Sequence, residues 1–209
     1  MSFSIIPEET ALLVIDAQNG MCHPKGTLAK SGVDVGPLQA ILDPIAEVVR
    51  ACQEAGIPDI WTRQEHYAED KSREAHRIQH HTRKRVNIAC QKGTWDAEIV
   101  DELKPFINEK SHVIGKQKFS GFYGTNLEVL LRILGVRLLV FTGTTTNLCI
   151  ETTLRDAYMR DYDCVIVGDC VAGVNPEWHR VSLEVWRRYM GLVVTHRELL
   201  HMLPSRVSS

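Results

Sequence analysis

Short, continuous apolar runs alternate along this chain with longer stretches in which apolar residues recur at helical spacing. The run 11–15, Ala-Leu-Leu-Val-Ile, ends at Asp16 and has the pattern of a parallel strand buried on both faces. Apolar residues at 38, 41, 42, 45, 48 and 49 then predict a helix over 37–55, closed by Gly56. Further strands are predicted at 59–62, 112–115, 138–142, 164–167 and 192–194. Helices are predicted over 96–103 (stopped near Pro105), 126–134, 149–158 and 177–189, with a last short one to about Leu203. Residues 65–92 are polar and rich in charge and histidine, and read as a long surface excursion, partly helical. The Ser-rich tail is expected to fray.

Alternation of this kind implies an α/β, three-layer α-β-α domain with a parallel sheet of six strands. In such folds ligands bind beyond the carboxyl ends of the strands. Asp16, Lys116 and the turn 143–149 all follow predicted strands at those ends, so groups remote in sequence can converge there. No repeat or linker interrupts the chain, which reads as one domain over 1–209.

Composition narrows the partners. The 209 residues are 44% hydrophobic, enough for one full core, and the net charge is −2 with a pI near 6.5. That balance gives no basic face for nucleic acid or an anionic membrane and leaves a small, weakly charged molecule as the expected partner. No apolar stretch approaches the roughly 20 residues of a membrane span, and the opening MSFSIIPEETALLVID lacks the basic-then-apolar pattern of a secretion signal. A cytoplasmic location is therefore expected. Cysteines stand at 22, 52, 90, 149, 164 and 170 without a CxxC pair, which predicts reduced, mostly buried thiols and no zinc cluster.

Among these thiols Cys149 has distinctive surroundings. It follows Asn147, a natural helix cap, at the predicted start of a helix, where N–H groups and the positive helix end favour a thiolate. Asp16 could accept its proton, and Lys116 could favour negative charge on both groups. Taken singly, each has an ordinary structural use: a packed cysteine, a strand-end cap and a solvated lysine.

Together they sit in a recognisable pattern. Asp16-Ala17-Gln18-Asn19, Lys116 ahead of Phe119-Ser120-Gly121-Phe122, and Gly143-Thr144-Thr145-Thr146-Asn147-Leu148-Cys149 resemble the isochorismatase-like cysteine hydrolases. The similarity continues through Glu151 to Ala157 and Gly168-Asp169, in order and over almost the whole chain. The segments KGTWDAEIVDEL and LVFTGTTTNLCIETTLRDAY are similar to ureidoacrylate amidohydrolases, with biuret and N-carbamoylsarcosine hydrolases as more distant relatives. The resemblance implies a Rossmann-like six-stranded sheet, a homodimer or homotetramer, and no cofactor. It implies hydrolysis of a ureido, carbamoyl or amide carbon–nitrogen bond through an acyl-enzyme on Cys149, with Asp16 moving the proton and Lys116 orienting it. It also implies backbone N–H groups of Thr145 and Cys149 as the oxyanion hole, and a cis peptide between Thr144 and Thr145.

Departures from relatives shape the remaining expectations. Nicotinamidases carry a metal-binding Asp where this chain has Gln64; a neutral amide is a poorer ligand, so no metal is expected there. Gln64 and His66 are candidate pocket residues instead, with Met21, Phe122 and Tyr123 as possible walls beside Phe119. Met21 and Met190 replace the substrate-gripping phenylalanine and glutamine of biuret hydrolases. His76 and His80 share helical spacing, but HRIQH lacks the glutamate of a zinc HExxH motif, and with His81 it reads as a solvated face. Arg83-Lys84-Arg85 reads as solvated too, with one arginine available for a substrate carboxylate. Two other functions fit the fold: vinyl-ether hydrolysis of an isochorismate-like compound, against which Cys149 argues, and a catalytically silent binding protein.

Overall fold

The computed structural model describes residues 4–69 and 88–204. It is built from β1 (Thr10–Ile15), α1 (Asn19–Cys22), α2 (Thr27–Lys30), α3 (Gly36–Gln39), α4 (Leu42–Glu54), β2 (Asp59–Gln64) and β3 (His112–Lys116). There follow α5 (Leu127–Ile133), β4 (Leu138–Thr144), α6 (Glu151–Tyr158), β5 (Asp163–Ala172), α7 (Pro176–Tyr189), β6 (Leu192–Val194) and α8 (His196–Met202). The six strands form one all-parallel sheet in the order β3-β2-β1-β4-β5-β6. The chain steps outward from β1 through β2 to β3, then returns to β1's other side with β4, so β1 and β4 meet at the topological switch point.

Both faces of the sheet are covered, which is why its central strands read as unbroken apolar runs. Leu12 and Val14 of β1 face the cluster shared with Ile45, Val48, Val49 and Cys52 of α4 and Leu199 of α8. Ala11, Leu13 and Ile15, alternating with them, face Leu127 and Leu131 of α5, Leu154 of α6 and Trp186 of α7.

All six predicted strands are present, and four of them extend further toward their carboxyl ends. The helices differ more. The stretch 37–55 is two helices rather than one, separated at 40–41. Pro44 explains the break: its ring would meet the carbonyl of Ala40 in a continuous helix, but is tolerated in the first turn of α4. Residues 96–103 are not a helix. Trp95–Ala97 makes a single 3₁₀ turn, Ile99 bridges antiparallel to Gln18, and Lys104–Phe106 makes a second turn around Pro105. Residues 146–150 wind as a wide π turn before α6 begins at Glu151. The central part of the polar excursion, including His76, His80, His81 and the Arg83–Arg85 cluster, lies outside the described residues, as does the Ser-rich tail. Among the described residues no helix is long and apolar enough to cross a membrane.

Candidate active site

Asp16 is the first residue beyond β1, and its backbone turns there into the left-handed region with φ +50°. Its carboxylate is 1% exposed and held from two sides. Thr62 of β2 donates its hydroxyl to Oδ1 at 2.7 Å, and Lys116 of β3 places Nζ 2.7 Å from Oδ2. Backbone contacts lock the same corner: Asp16 N–H donates to Thr62 O at 3.1 Å, and Thr144 Oγ1 donates to Asp16 O at 2.9 Å.

Lys116 is fully buried, so each of its three donors needs an acceptor. Beside its ion pair with Asp16, it donates to Gln64 Oε1 at 2.8 Å and to the carbonyl of Lys118 at 3.1 Å. Gln64 and Lys116 are register partners in the parallel β2–β3 pair, which brings the two side chains together. Burial alone would lower the Lys116 ammonium, but the Asp16 carboxylate and the Cys149 sulfur outweigh it and raise its pKa.

The turn after β4 brings in the sulfur. Gly143 has φ +112°, and a Cβ there would overlap the Ile15 carbonyl oxygen, so only glycine lets β4 pass β1 at this point. The Thr144–Thr145 peptide is cis, as the resemblance implied. Ile150 N–H then reaches back to Thr145 O at 3.3 Å, and the Cys149 carbonyl accepts from Thr153 Oγ1 at 2.6 Å. Cys149 is buried close enough to Asp16 and Lys116 for both charges to act on its thiol.

Two expectations about Cys149 need correction. Asn147 is not the cap of its helix: Thr145 occupies that position, without a side-chain cap bond, and Cys149 lies inside the π turn, ahead of α6. Nor is its thiol poised as a thiolate. Burial pushes it up to about 12, and the Lys116 charge offsets this only in part, while Asp16 adds to the rise. Burial thus opposes, rather than favours, ionisation of this thiol.

The remaining predicted residues are distributed differently. Gln64 is buried and bonded to Lys116. His66 follows β2, where its N–H donates to Cys90 O at 2.9 Å and its carbonyl accepts from Lys92 N–H at 2.9 Å. Met21, on α1, is half-buried against Ala89, Cys90 and Ala97. Phe122 is buried in the same apolar cluster as Cys149, with the Arg160 guanidinium 4.8 Å above its ring. Tyr123 stands at the surface, 67% exposed, and enters neither core cluster. Among the described residues no group of three or more His, Cys, Asp or Glu gathers to hold a metal.

Sequence reasoning missed the groups that hold the site in place. Gln18 is completely buried and clamps the Gln64 backbone from both sides: its Nε2 donates to Gln64 O at 2.9 Å and its Oε1 accepts from Gln64 N–H at 2.8 Å. The same Nε2 donates to Ala97 O at 2.7 Å. Asn19 pins the next stretch through Trp95 O and Asp101, and Asp96 accepts from Thr27 N–H and Cys90 N–H. Thr62 was visible only as a polar residue ending an apolar strand.

This constellation has relatives. A family model described as "Isochorismatase domain" matches residues 10–198. The chain belongs to the isochorismatase family. A ureidoacrylate amidohydrolase RutB of Methylobacterium radiotolerans is 35% identical over 200 residues, covering 90% of this chain and 76% of that protein. Among solved structures, a cysteine hydrolase from Pseudomonas syringae pv. phaseolicola superposes with a TM-score of 0.82 at 25% identity, covering 97% of this chain and 95% of that one. An N-carbamoylsarcosine amidase from Thermoplasma acidophilum superposes with a TM-score of 0.72 at 25% identity, covering 90% and 96%. In this isochorismatase-family chain the strand order and the convergence at the switch point follow from the register described above.

Proposed function

We propose that the chain is a cysteine-dependent amidohydrolase that cleaves a carbon–nitrogen bond of a small ureido, carbamoyl or amide compound. The single observation that carries this reading is a buried carboxylate–ammonium pair whose charges act on one buried thiol, drawn from the end of β1, from β3 and from the turn after β4. The amidohydrolase names of its relatives support it.

Because burial opposes ionisation of the thiol, deprotonation accompanies attack. Asp16 takes the S–H proton as Sγ bonds to the substrate carbonyl carbon, and the carbonyl oxygen gains the negative charge. The N–H groups of Thr145 and Cys149 receive that oxyanion, each such donor contributing roughly 3 kcal/mol in water-excluded sites. Collapse breaks the C–N bond, and the Asp16 proton passes to the departing nitrogen. Water, losing a proton to Asp16, then attacks the thioester carbon; the C–S bond breaks and the proton returns to sulfur. Lys116 holds Asp16 in place throughout and offsets the negative charge that moves between oxygen and sulfur.

Ammonia release across a panel of ureido compounds and simple primary amides tests the reaction. Mass spectrometry of quenched turnovers should find an acyl adduct on Cys149, and Cys149→Ala should abolish both adduct and turnover. Full turnover by that variant would exclude the covalent route.

A further inference from the structure

The Gln64 side chain can be oriented from chemistry alone. Its neighbour, the Lys116 ammonium, can only donate, so the carboxamide must turn its oxygen to Nζ at 2.8 Å and its NH₂ the other way. That NH₂ is buried, in a residue 7% exposed, and has no hydrogen-bond partner among the described residues. Buried donors are nearly always satisfied, and one left open beside a reactive cluster is costly to keep. It cannot turn away cheaply. Gln18 fixes the Gln64 backbone at both its N–H and its carbonyl, and flipping the amide would point donors at an ammonium. Lys116, which fixes the oxygen end, is also paired with Asp16 at 2.7 Å and acts on the Cys149 thiol, so the open donor pair adjoins the reactive cluster.

We propose that Gln64 is a specificity-determining residue whose NH₂ receives a second oxygen acceptor of the substrate, a carboxylate or carbonyl beyond the scissile one. This rests on the amidohydrolase reading and deepens it: the preferred compounds carry an acidic or carbonyl group beside the carbamoyl or amide that is cleaved. A metal-binding carboxylate at this position would draw a cation; a pinned carboxamide draws an oxygen.

The test uses N-carbamoylsarcosine and 1,1-dimethylurea, which share a carbamoylated tertiary nitrogen and differ by one carboxylate. Protection of the fold against thermal unfolding, followed by circular dichroism, reads binding whether or not either compound turns over. In the wild type N-carbamoylsarcosine should protect at a concentration about tenfold or more below that of dimethylurea, the range expected for a hydrogen bond to a charged group. Gln64→Met, of similar length but without donors, should close that gap. Gln64→Glu keeps an oxygen for Lys116 and provides a second route if the Met variant does not fold; it should reverse the preference by repelling the carboxylate. Retention of the gap in either folded variant, or equal protection by both compounds in the wild type, including none, would overturn the proposal. An equal loss for both compounds, together with an equal fall in any turnover, would assign Gln64 to positioning Lys116 and also overturn it. Absence of ammonia release from any wild-type substrate would refute the proposed reaction instead and leave the protection result readable.

Discussion

Two ion pairs in this molecule have the same length and opposite surroundings. Lys116 and Asp16 approach to 2.7 Å with side chains 0% and 1% exposed, whereas Arg180 and Glu177, on the outer side of α7, approach to 2.7 Å with 55% and 66% exposed. The second pair is solvated in either state of the chain, and water and salt screen most of its attraction. The first has given up hydration, and each partner is tolerable only because the other is there. Equal distances thus describe unequal dependence, and dependence is what the proposed proton transfer through Asp16 needs. The comparison also places the six thiols, all buried, with the first pair rather than the second.

The widest separation between the two environments should appear at alkaline pH. Cys22, Cys52, Cys149 and Cys164 are each pushed by burial from 9.0 up to about 12, and Cys90 and Cys170 rise as well. Between those values the unfolded chain has released protons that the folded chain retains, so stability falls as pH rises. The raised Lys116 acts in the same direction at higher pH. Thermal unfolding followed by circular dichroism from about pH 8 to about pH 12 should show a steep, continuous loss of the melting temperature. A flat profile would mean that the thiols are better solvated than described.

Removing half of the buried pair comes next. Lys116→Met leaves Asp16 buried without its counter-charge and should cost about 3–5 kcal/mol in urea unfolding, with turnover down roughly a thousandfold. Thr62→Val removes only the hydroxyl on Asp16 Oδ1 and should cost about 1–3 kcal/mol, with a smaller fall in turnover from the loosened carboxylate. Arg180→Ala should leave both melting temperature and turnover unchanged, at low salt and at high salt alike. A marked loss in that variant would break the contrast from the other side.

The strands were legible because burial on both faces writes itself as an uninterrupted apolar run, and Asp16 was legible as the polar residue that ends one. Helical periodicity was less trustworthy. Apolar positions 97, 99, 100 and 103 imitate a helix face, but Gln18 and Asn19 draw that stretch into an extended bridge and turns through bonds to its backbone. A side chain that captures a carbonyl 79 residues away leaves no local trace. The same holds for the thiol. Spacing suggested a helix end that would encourage ionisation, whereas the sulfur's behaviour is set by how completely other segments enclose it. Asp16, Lys116 and Cys149 could be named from motifs; that Gln64 joins them depends on the β2–β3 register.

The Gln18 clamp has a consequence for how the molecule comes to life. Its partners lie 46 and 79 residues along the chain, so neither bond can close until β1 and β2 are already side by side and the stretch beyond them has returned. Assembly of the reactive corner therefore depends on the pairing of β1 with β2. A newly made chain can carry most of its secondary structure while it is still chemically inert.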